Sequence, residues 1–406
     1  MTADTVLVVG CTSASAHGQD QMRRLAAQAA ARGLRVLGVD TPAALAGGIW
    51  RMAADEVRPL DYSDEEACRR FAAARPEAAA VLTLKEGAVL AAARLARALG
   101  LPGNALEAVR TIRTKDLCRD ALRNAGFTQP RSTVAADLRE AERFLAESGG
   151  NGPWIVKPRD GMGSAGVSLV RSAHDLPAAL DALGGVRPFL VEEFVHGEEF
   201  SAEGVMLGGV CRILGLTRKR TGAGFVETGH RMPAGLDATI DELARAETAR
   251  AVAATGISHG IVHVEFWTTP EGGIVLGEIH ARPGGDFLHA LVEHTRPGLE
   301  LFGALLDDLL GRPAAAIPPE TGAAGSDFLV LAPGRVAAVE GWGMLSRSSG
   351  LLAAHLGVWP GDILGPVTSS ADRHGVLVAG ADGTEGVETV LAEARGRLSI
   401  VMETAR

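Results

Sequence analysis

The chain has 406 residues, 47% apolar and 22% charged, the make-up of a soluble globular protein of two or three domains that needs no disulfide or structural metal to hold a core. Forty basic against 49 acidic residues give a net charge of -9; that argues against a nucleic-acid surface, and no apolar run approaches the ~20 residues of a membrane span. The start MTADTVLVVG lacks the basic segment of a signal peptide, and Cys11, Cys68, Cys118 and Cys211 form no CxxC pair, as expected of small buried residues in a reducing cytoplasm.

Of the 40 basic residues only Lys85, Lys115, Lys157 and Lys219 are lysines. In so arginine-biased a chain, a lysine marks a place where a compact ammonium charge is wanted.

In chain order, TVLVVG (5–10) and LRVLGVD (34–40) read as buried strands on either side of a helix, QDQMRRLAAQAAARG. AAVLTL (79–84) and an Ala/Leu/Arg helix ending at Gly100 follow. Strands alternating with helices predict an α/β unit with a parallel sheet over residues 1–104. VVGCTSASAHG lacks the G-x-G-x-x-G spacing of a dinucleotide loop, and Asp40 reads as a helix cap rather than a ribose contact.

From 105 the texture changes. Two helical segments surround Lys115, then come RSTVAA (131–136), a helix, WIVKP (154–158) and three consecutive strands, PFLVEEFV, EFSAEGVML and VCRILGLT. A helix (236–255) and a hairpin (260–282) complete an α+β unit over 105–312. RPAAAIPPETGAAGS (312–326) has the composition of a linker. A smaller third unit, within 313–406, carries strands near 327–332 and 375–379, a helix near 384–396 and the closing LSIVM.

The segment IVHVEFWTTPEGGIVLGEIHARPGGDF (261–287) carries most of the chemistry. Centring its TTPEGG turn between Glu271 and Gly272 sets Glu265 opposite Glu278 and His263 opposite His280. Alternation then puts His263, Glu265, Trp267, Glu278, His280 and Arg282 on one face. Val262, Val264, Phe266, Ile279 and Ala281 take the other, toward the core. Opposed carboxylates repel unless a positive charge lies between them, and hard oxygen donors suit Mg2+. No HExxH or Cys/His cluster calls for zinc. Arg282, entering a Gly-rich loop, suits a phosphate or carboxylate oxygen. A solvated acidic pair and a surface salt bridge are the plainer alternatives.

WIVKPRDGMGSAGVSLV (154–170) reads as strand, Gly/Ser loop and strand, with Lys157 placed to reach a phosphate. It is no Walker A loop, since the lysine precedes the glycines, and an ordinary hairpin is the alternative. In LVEEFVHGEEFSAEGV, Glu192, Glu193, Glu198, Glu199 and Glu203 can accept from a ribose or an adenine amino group, or guard an edge strand.

Together these features, TKD on a helix, VKP with its loop, VEEFVHGEEFS, and paired acids ending in E-x-H-x-R, resemble the ATP-grasp superfamily over about residues 105–310. DFLVLAPGRVAAVEG and WPGDILGPVTSSADRHGVLVAG are similar to the C-terminal domain of the L-amino acid ligases, of the bacilysin synthetase kind. The resemblance implies an ATP-grasp fold behind a parallel-sheet pre-ATP-grasp domain, with a small C-terminal α+β domain. It implies ATP and Mg2+, or Mn2+ in its place, as cofactors. The implied activity is amide or peptide bond formation between a small-molecule carboxylate and an amine through an acyl phosphate, in natural-product biosynthesis. Homodimers are common among such relatives.

Carried over by position, Lys115 and Lys157 hold the ATP phosphates under a loop of Gly161, Gly163 and Ser164. The backbone from Glu192 and Glu193 to Val195 meets adenine, and Glu199 takes the ribose. Glu265 and Glu278 bind the metal, and Arg282 and Lys157 offset charge on the transferring group. In FVETGHRMPA, Glu227 and His230 stand where the amino acid ligases line their substrate site, and either is a candidate base for the amine proton. Gly284, Gly285 and Asp286 complete that site. Two positions depart from the pattern: His280 stands where many relatives have a metal-contacting Asn, and Asp286 where the bacilysin synthetase kind has a bulky aromatic. From this we expect His280 as a third metal ligand and Asp286 as a partner for a substrate amine. The same core also serves enzymes that activate formate or bicarbonate in purine and biotin chemistry, and non-catalytic ATP-binding regulators.

Overall fold

A computed structural model describes residues 4–47, 53–149, 152–161, 163–313, 315–345 and 348–403. Met162 of the glycine loop, Ala314 of the linker and the first three residues lie outside them.

The first unit is a parallel sheet of β1 (Thr5–Val9), β2 (Arg35–Asp40), β3 (Glu56–Pro59) and β4 (Ala80–Leu82), in the order β3-β2-β1-β4. Three of these strands are the apolar runs read from the sequence. The fourth, β3, is the short polar segment EVRP at the sheet edge, with no apolar run to announce it. Asp40 is not a helix cap. Its carboxylate accepts from Thr12 N and Oγ at 2.9 and 2.7 Å, bracing the loop after β1, while Thr41 caps the helix Pro42–Ala46.

An antiparallel sheet follows: β5 (Ser132–Ala135), β6 (Trp154–Pro158), β7 (Ser168–Val170) and β8 (Phe189–Glu193), ordered β5-β8-β6-β7. The glycine loop joins β6 to β7.

The remaining strands are β9 (Glu198–Leu207), β10 (Val210–Thr221), β11 (Glu227–Met232), β12 (Ile261–Thr268), β13 (Ile274–His280), β14 (Ala323–Leu329), β15 (Gly334–Glu340), β16 (Leu351–Leu356), β17 (Ile363–Leu364), β18 (Gly375–Ala381) and β19 (Ser399–Met402). Eight of them form one antiparallel sheet, β13-β12-β9-β10-β11-β14-β18-β16. Its buried side sets Phe200, Ala202, Leu216, Val262, Val264, Phe266, Ile279 and Ala281 in one core with residues of the helices Leu106–Arg113, Lys115–Asn124 and Ala238–Ala254. Each such large side chain taken from water contributes roughly 1.5–3 kcal/mol. Because successive side chains alternate, the opposite face collects Glu199, Lys219, Glu265, His263 and His280. That polar face is the floor of the site.

The linker reading needs correction at its end. Residues 323–326 are the start of β14, which pairs with β11 (His230 beside Ser326) and with β18. Their small Ala, Gly and Ser residues carry no apolar alternation, so composition alone suggested a loop. The C-terminal strands thus extend the central sheet; only β15, β17 and β19 form a small sheet of their own. Among the described residues no helix is long and apolar enough to cross a membrane.

Candidate active site

A cavity of about 890 Å³ opens between the polar face of the large sheet, the glycine loop, the start of the helix Ala16–Ala30 and the segment 369–373. Lys115, Lys157, Gly161, Gly163 and Ser164 line it, as do Glu193, Val195 and Glu199. So do Glu227, His230, Glu265, Glu278, His280, Arg282, Gly285 and Asp286. The sequence placed these residues together, and the fold brings them to one space. Gly284 is an exception. A Cβ there would lie 2.6 Å from Leu288 and 2.9 Å from Glu203, and its carbonyl accepts from Gln21, so it packs behind the wall rather than facing a substrate.

The hairpin register holds at its open end, where His263 faces His280 and Val264 faces Ile279. It then slips by one: Phe266 pairs with Leu276 and Trp267 with Val275. The extra residue lies at Gly277–Glu278 beside Glu265, so the two acids share a bulge instead of a regular opposed pair. Gly277 makes room for it, since a Cβ there would stand 2.8 Å from the Trp267 ring and 2.9 Å from the Glu265 carbonyl. All six predicted polar-face residues still line the cavity.

Lysines supply the positive charge between these acids. Lys115 Nζ lies 3.1 Å from Glu278 and donates to the Gly161 carbonyl at 2.7 Å, tying the first helix of the site to the glycine loop. Lys157 Nζ lies 2.7 Å from Glu192 and 3.9 Å from Glu278. Lys219, given no role by the sequence, reaches three carboxylates at once: Glu199 at 2.7 Å, Glu265 at 2.9 Å and Glu227 at 3.0 Å. Burial would discharge it, but the three acids outweigh burial and raise its pKa well above the ordinary value. Burial likewise opposes charge on Glu265 and Glu278, yet Lys219 beside the one and Lys115 and Lys157 beside the other hold both carboxyls below their usual range.

Glu192 lines the cavity too, but its side chain already has partners. It sits in the central strand β8, paired on both sides by Ser132 and Ile155. Its buried carboxylate is committed to Arg119 at 3.1 Å and to Lys157. Burial would raise its pKa, but these two cations outweigh burial and bring it to about 2. β8 ends at Glu193, whose N–H donates to the Arg131 carbonyl at 2.9 Å; beyond it Val195 lines the cavity beside the Phe194 ring, which lies 6.4 Å from that of Phe225.

Two histidines are built alike. His263 donates Nδ1–H to Glu203 at 2.9 Å and turns Nε2 to Glu265 at 3.6 Å. His280 donates Nδ1–H to Glu86 at 2.9 Å and turns Nε2 to Glu278 at 3.7 Å. Glu86, from the first unit, also accepts from Arg282 Nε at 2.9 Å. Burial would lower the pKa of His263, but Glu203 outweighs it and raises it from 6.5 to about 9. A group raised in this way stabilises the fold fully below pH 6.5 and stops doing so as pH passes about 9. The ligand-free protein is therefore expected to lose thermal stability across that window, with His263→Asn flattening the decline. An unchanged decline in the variant, followed by calorimetry, would contradict the assignment.

At the far end of the cavity, Asp286 already has partners within the chain. Its carboxylate accepts from Arg373 at 2.6 and 2.8 Å and from His230 Nε2 at 3.1 Å. Arg373 in turn lies 3.5 Å over the Phe328 ring. The backbone at Asp286 and Phe287 is left-handed (φ 56° and 65°), a conformation held by this packing. Nothing near residue 286 in the chain announces a partner 87 residues on.

Among the described residues, the one trio of His, Cys or acidic side chains whose donor atoms all lie within 4.8 Å of one another is Glu227, His230 and Asp286. Lys219 and Arg373 already neutralise its acids. The expected trio Glu265, Glu278 and His280 does not converge to that degree; Glu265 is paired with Lys219 and Glu278 with Lys115. What remains, two carboxylates on a polar floor beside cations that can bind phosphates, fits Mg2+, which takes one or two carboxylates and completes its shell with water and phosphate.

Two family models match the chain: an ATP-grasp domain over residues 151–290 and an L-amino acid ligase C-terminal domain 2 over 327–403. The alanine–anticapsin ligase of Bacillus subtilis is 27% identical over 212 residues, 46% of this chain and 44% of that protein. A D-alanine–D-alanine ligase of Stutzerimonas stutzeri is 31% identical over 195 residues, 46% and 58%. Carnosine synthase 1 of Gallus gallus is 32% identical over 272 residues, 60% and 28%. The chain thus spans from about a quarter to under two thirds of the length of these relatives. In fold, it superposes on an L-amino acid ligase from Bacillus licheniformis with a TM-score of 0.83 at 22% identity, over 100% of both chains. It also superposes on N5-carboxyaminoimidazole synthase from Aspergillus clavatus with a TM-score of 0.76 at 20% identity, over 98% of both. The chain therefore carries an ATP-grasp domain followed by an L-amino acid ligase C-terminal domain.

Proposed function

We propose that the chain is an ATP-dependent carboxylate–amine ligase, joining an amino acid or another carboxylate to an amine with release of ADP and phosphate. The observation that carries this reading is the convergence of Lys115, Lys157, Lys219 and Arg282 on one cavity with Glu265 and Glu278. A carboxylate is a poor acyl donor because oxide would have to leave. In the first step its oxygen bonds to the γ-phosphorus of ATP while the bond to the β,γ-bridging oxygen breaks. In the second, the amine nitrogen attacks the acyl carbon and phosphate departs. Such transfers need positioning and charge neutralisation more than covalent help.

Lys115 and Lys157 are placed to hold phosphates, and Arg282, aimed by Glu86, to offset charge on the acyl phosphate. Glu265 and Glu278 would hold Mg2+ or Mn2+, which supplies positive charge to the phosphate oxygens when bound. Gly163 O accepts from Ser370 N at 3.4 Å, and Ser164 donates to the Phe225 carbonyl at 3.3 Å. These contacts support a loop that covers the cavity and keeps water from the acyl phosphate. Of the two candidate bases, Glu227 is bound to Lys219, whereas His230 spends Nε2 on Asp286 and leaves Nδ1 with no partner. His230 is the base we favour. We place the reaction in the cytoplasm, in biosynthesis of a dipeptide-like or amide product, a role supported by the likeness to alanine–anticapsin ligase.

The test is phosphate release with Mg·ATP against amino acids singly and in pairs, with bicarbonate and formate as separate arms. Release that requires one carboxylate–amine pair supports the ligase. Release with bicarbonate alone supports the carboxylating reading that the second fold match suggests, and silence despite ATP binding overturns both. With substrates in hand, Arg373→Met is expected to raise KM for one of them at least about tenfold, since it unpairs Asp286 at the substrate end. Equal KM values for all substrates would remove Arg373 from specificity.

A further inference from the structure

His263 and His280 repeat one arrangement on adjacent strands. Each commits Nδ1–H to a buried carboxylate, Glu203 for the one and Glu86 for the other, and each turns Nε2 toward an acid of the site. Metal-bound histidines are held in this way: the outer carboxylate fixes the tautomer and aims the remaining nitrogen. Two ligands about 2.1 Å from a shared ion lie at most about 4.2 Å apart. The His263–Glu265 and His280–Glu278 separations, 3.6 and 3.7 Å, fall inside that limit.

The two pairs stand side by side, with ring centroids 5.7 Å apart. Glu203 and Glu86 come from elements remote in sequence, β9 and the short turn of helix at Glu86–Ala88, so both histidines are braced independently. Lys219 shares Glu265 with His263 but also holds Glu199 and Glu227, and remains paired if an ion takes Glu265.

We infer that the site binds divalent metal through His–Glu pairs, His280 with Glu278 and His263 with Glu265, and not through carboxylates alone. Imidazole nitrogen in the shell shifts preference from Mg2+ toward first-row transition ions such as Mn2+. This inference rests on the reading of Glu265 and Glu278 as metal ligands.

The experiment is Mn2+ titration of the full chain in the presence of ADP, followed by electron paramagnetic resonance. Pulsed spectra are expected to show directly bonded nitrogen, changing from 14N to 15N splitting in protein labelled with 15N-histidine. The double variant His263→Asn, His280→Asn is expected to lose that coupling. Its Mn2+ affinity falls at least about tenfold, while Mg2+ affinity, read by competition, changes less than about threefold. Mn2+ that binds, is displaced by Glu278→Gln, and shows no nitrogen coupling overturns the inference and leaves the carboxylate site standing. No saturable Mn2+ binding with or without ADP overturns both. The wild-type spectrum decides the matter even if the double variant folds poorly.

Discussion

Glu278→Gln is expected to reduce substrate-dependent phosphate release by about 10³-fold, since losing several kcal/mol of charge stabilisation in the transition state costs that much. The glutamate is the meeting point of the site: Lys115 lies 3.1 Å from it, Lys157 3.9 Å and His280 3.7 Å. Glutamine keeps the shape and one oxygen but removes the charge that balances the lysines and would hold the ion. The fold should tolerate the change. Lys157 keeps Glu192, and Lys115 keeps the Gly161 carbonyl. The comparison to make is phosphate release beside a thermal melt and ADP binding. A variant that melts like the parent, binds ADP and still releases phosphate within about tenfold of it would remove Glu278 from the chemistry.

Lys219→Met should do the opposite damage, striking the fold as well as the activity. Its side chain is 2% exposed and its ammonium is the shared partner of three carboxylates. Breaking a buried ion pair by removing one member typically costs about 3–5 kcal/mol. The acids left facing one another without it, Glu199 and Glu265 among them, would then take up protons to escape mutual repulsion, raising the folded pKa values of these two above the unfolded ones. Stability contributed in that way is present at low pH and lost as pH rises, so the deficit should be smaller near pH 5 than near pH 8. Melting curves at the two pH values test this. A deficit that is absent, or equal at both, would mean that the three acids are not held by this lysine. Methionine fills much of the space left by the lysine stem, so lost packing alone would not reproduce the pH dependence.

Much of the site was legible in the sequence because its signals are local. The alternation in IVHVEFW and IVLGEIH sorted polar from core-facing residues correctly, since strand geometry imposes a period of two within a few residues. The lysine before a glycine loop and the turn in TTPEGG are equally short-range. The scarcity of lysine was informative too: Lys115, Lys157 and Lys219 all line the cavity, and only Lys85 stands elsewhere, beside Asp40.

What tertiary structure decided is which charge answers which. Lys219 meets acids from three strands only because β10 lies between β9 and β11, with β12 next to β9. Glu86 reaches His280 across 194 residues, and Arg373 claims Asp286 across 87. The bulge at Gly277–Glu278 shifted the acids out of the simple register that the turn predicted. Periodicity and turn chemistry are properties of neighbouring residues and can be read along the chain. Pairing of buried charges depends on strand order and on side-chain reach in three dimensions, and no stretch of sequence records it.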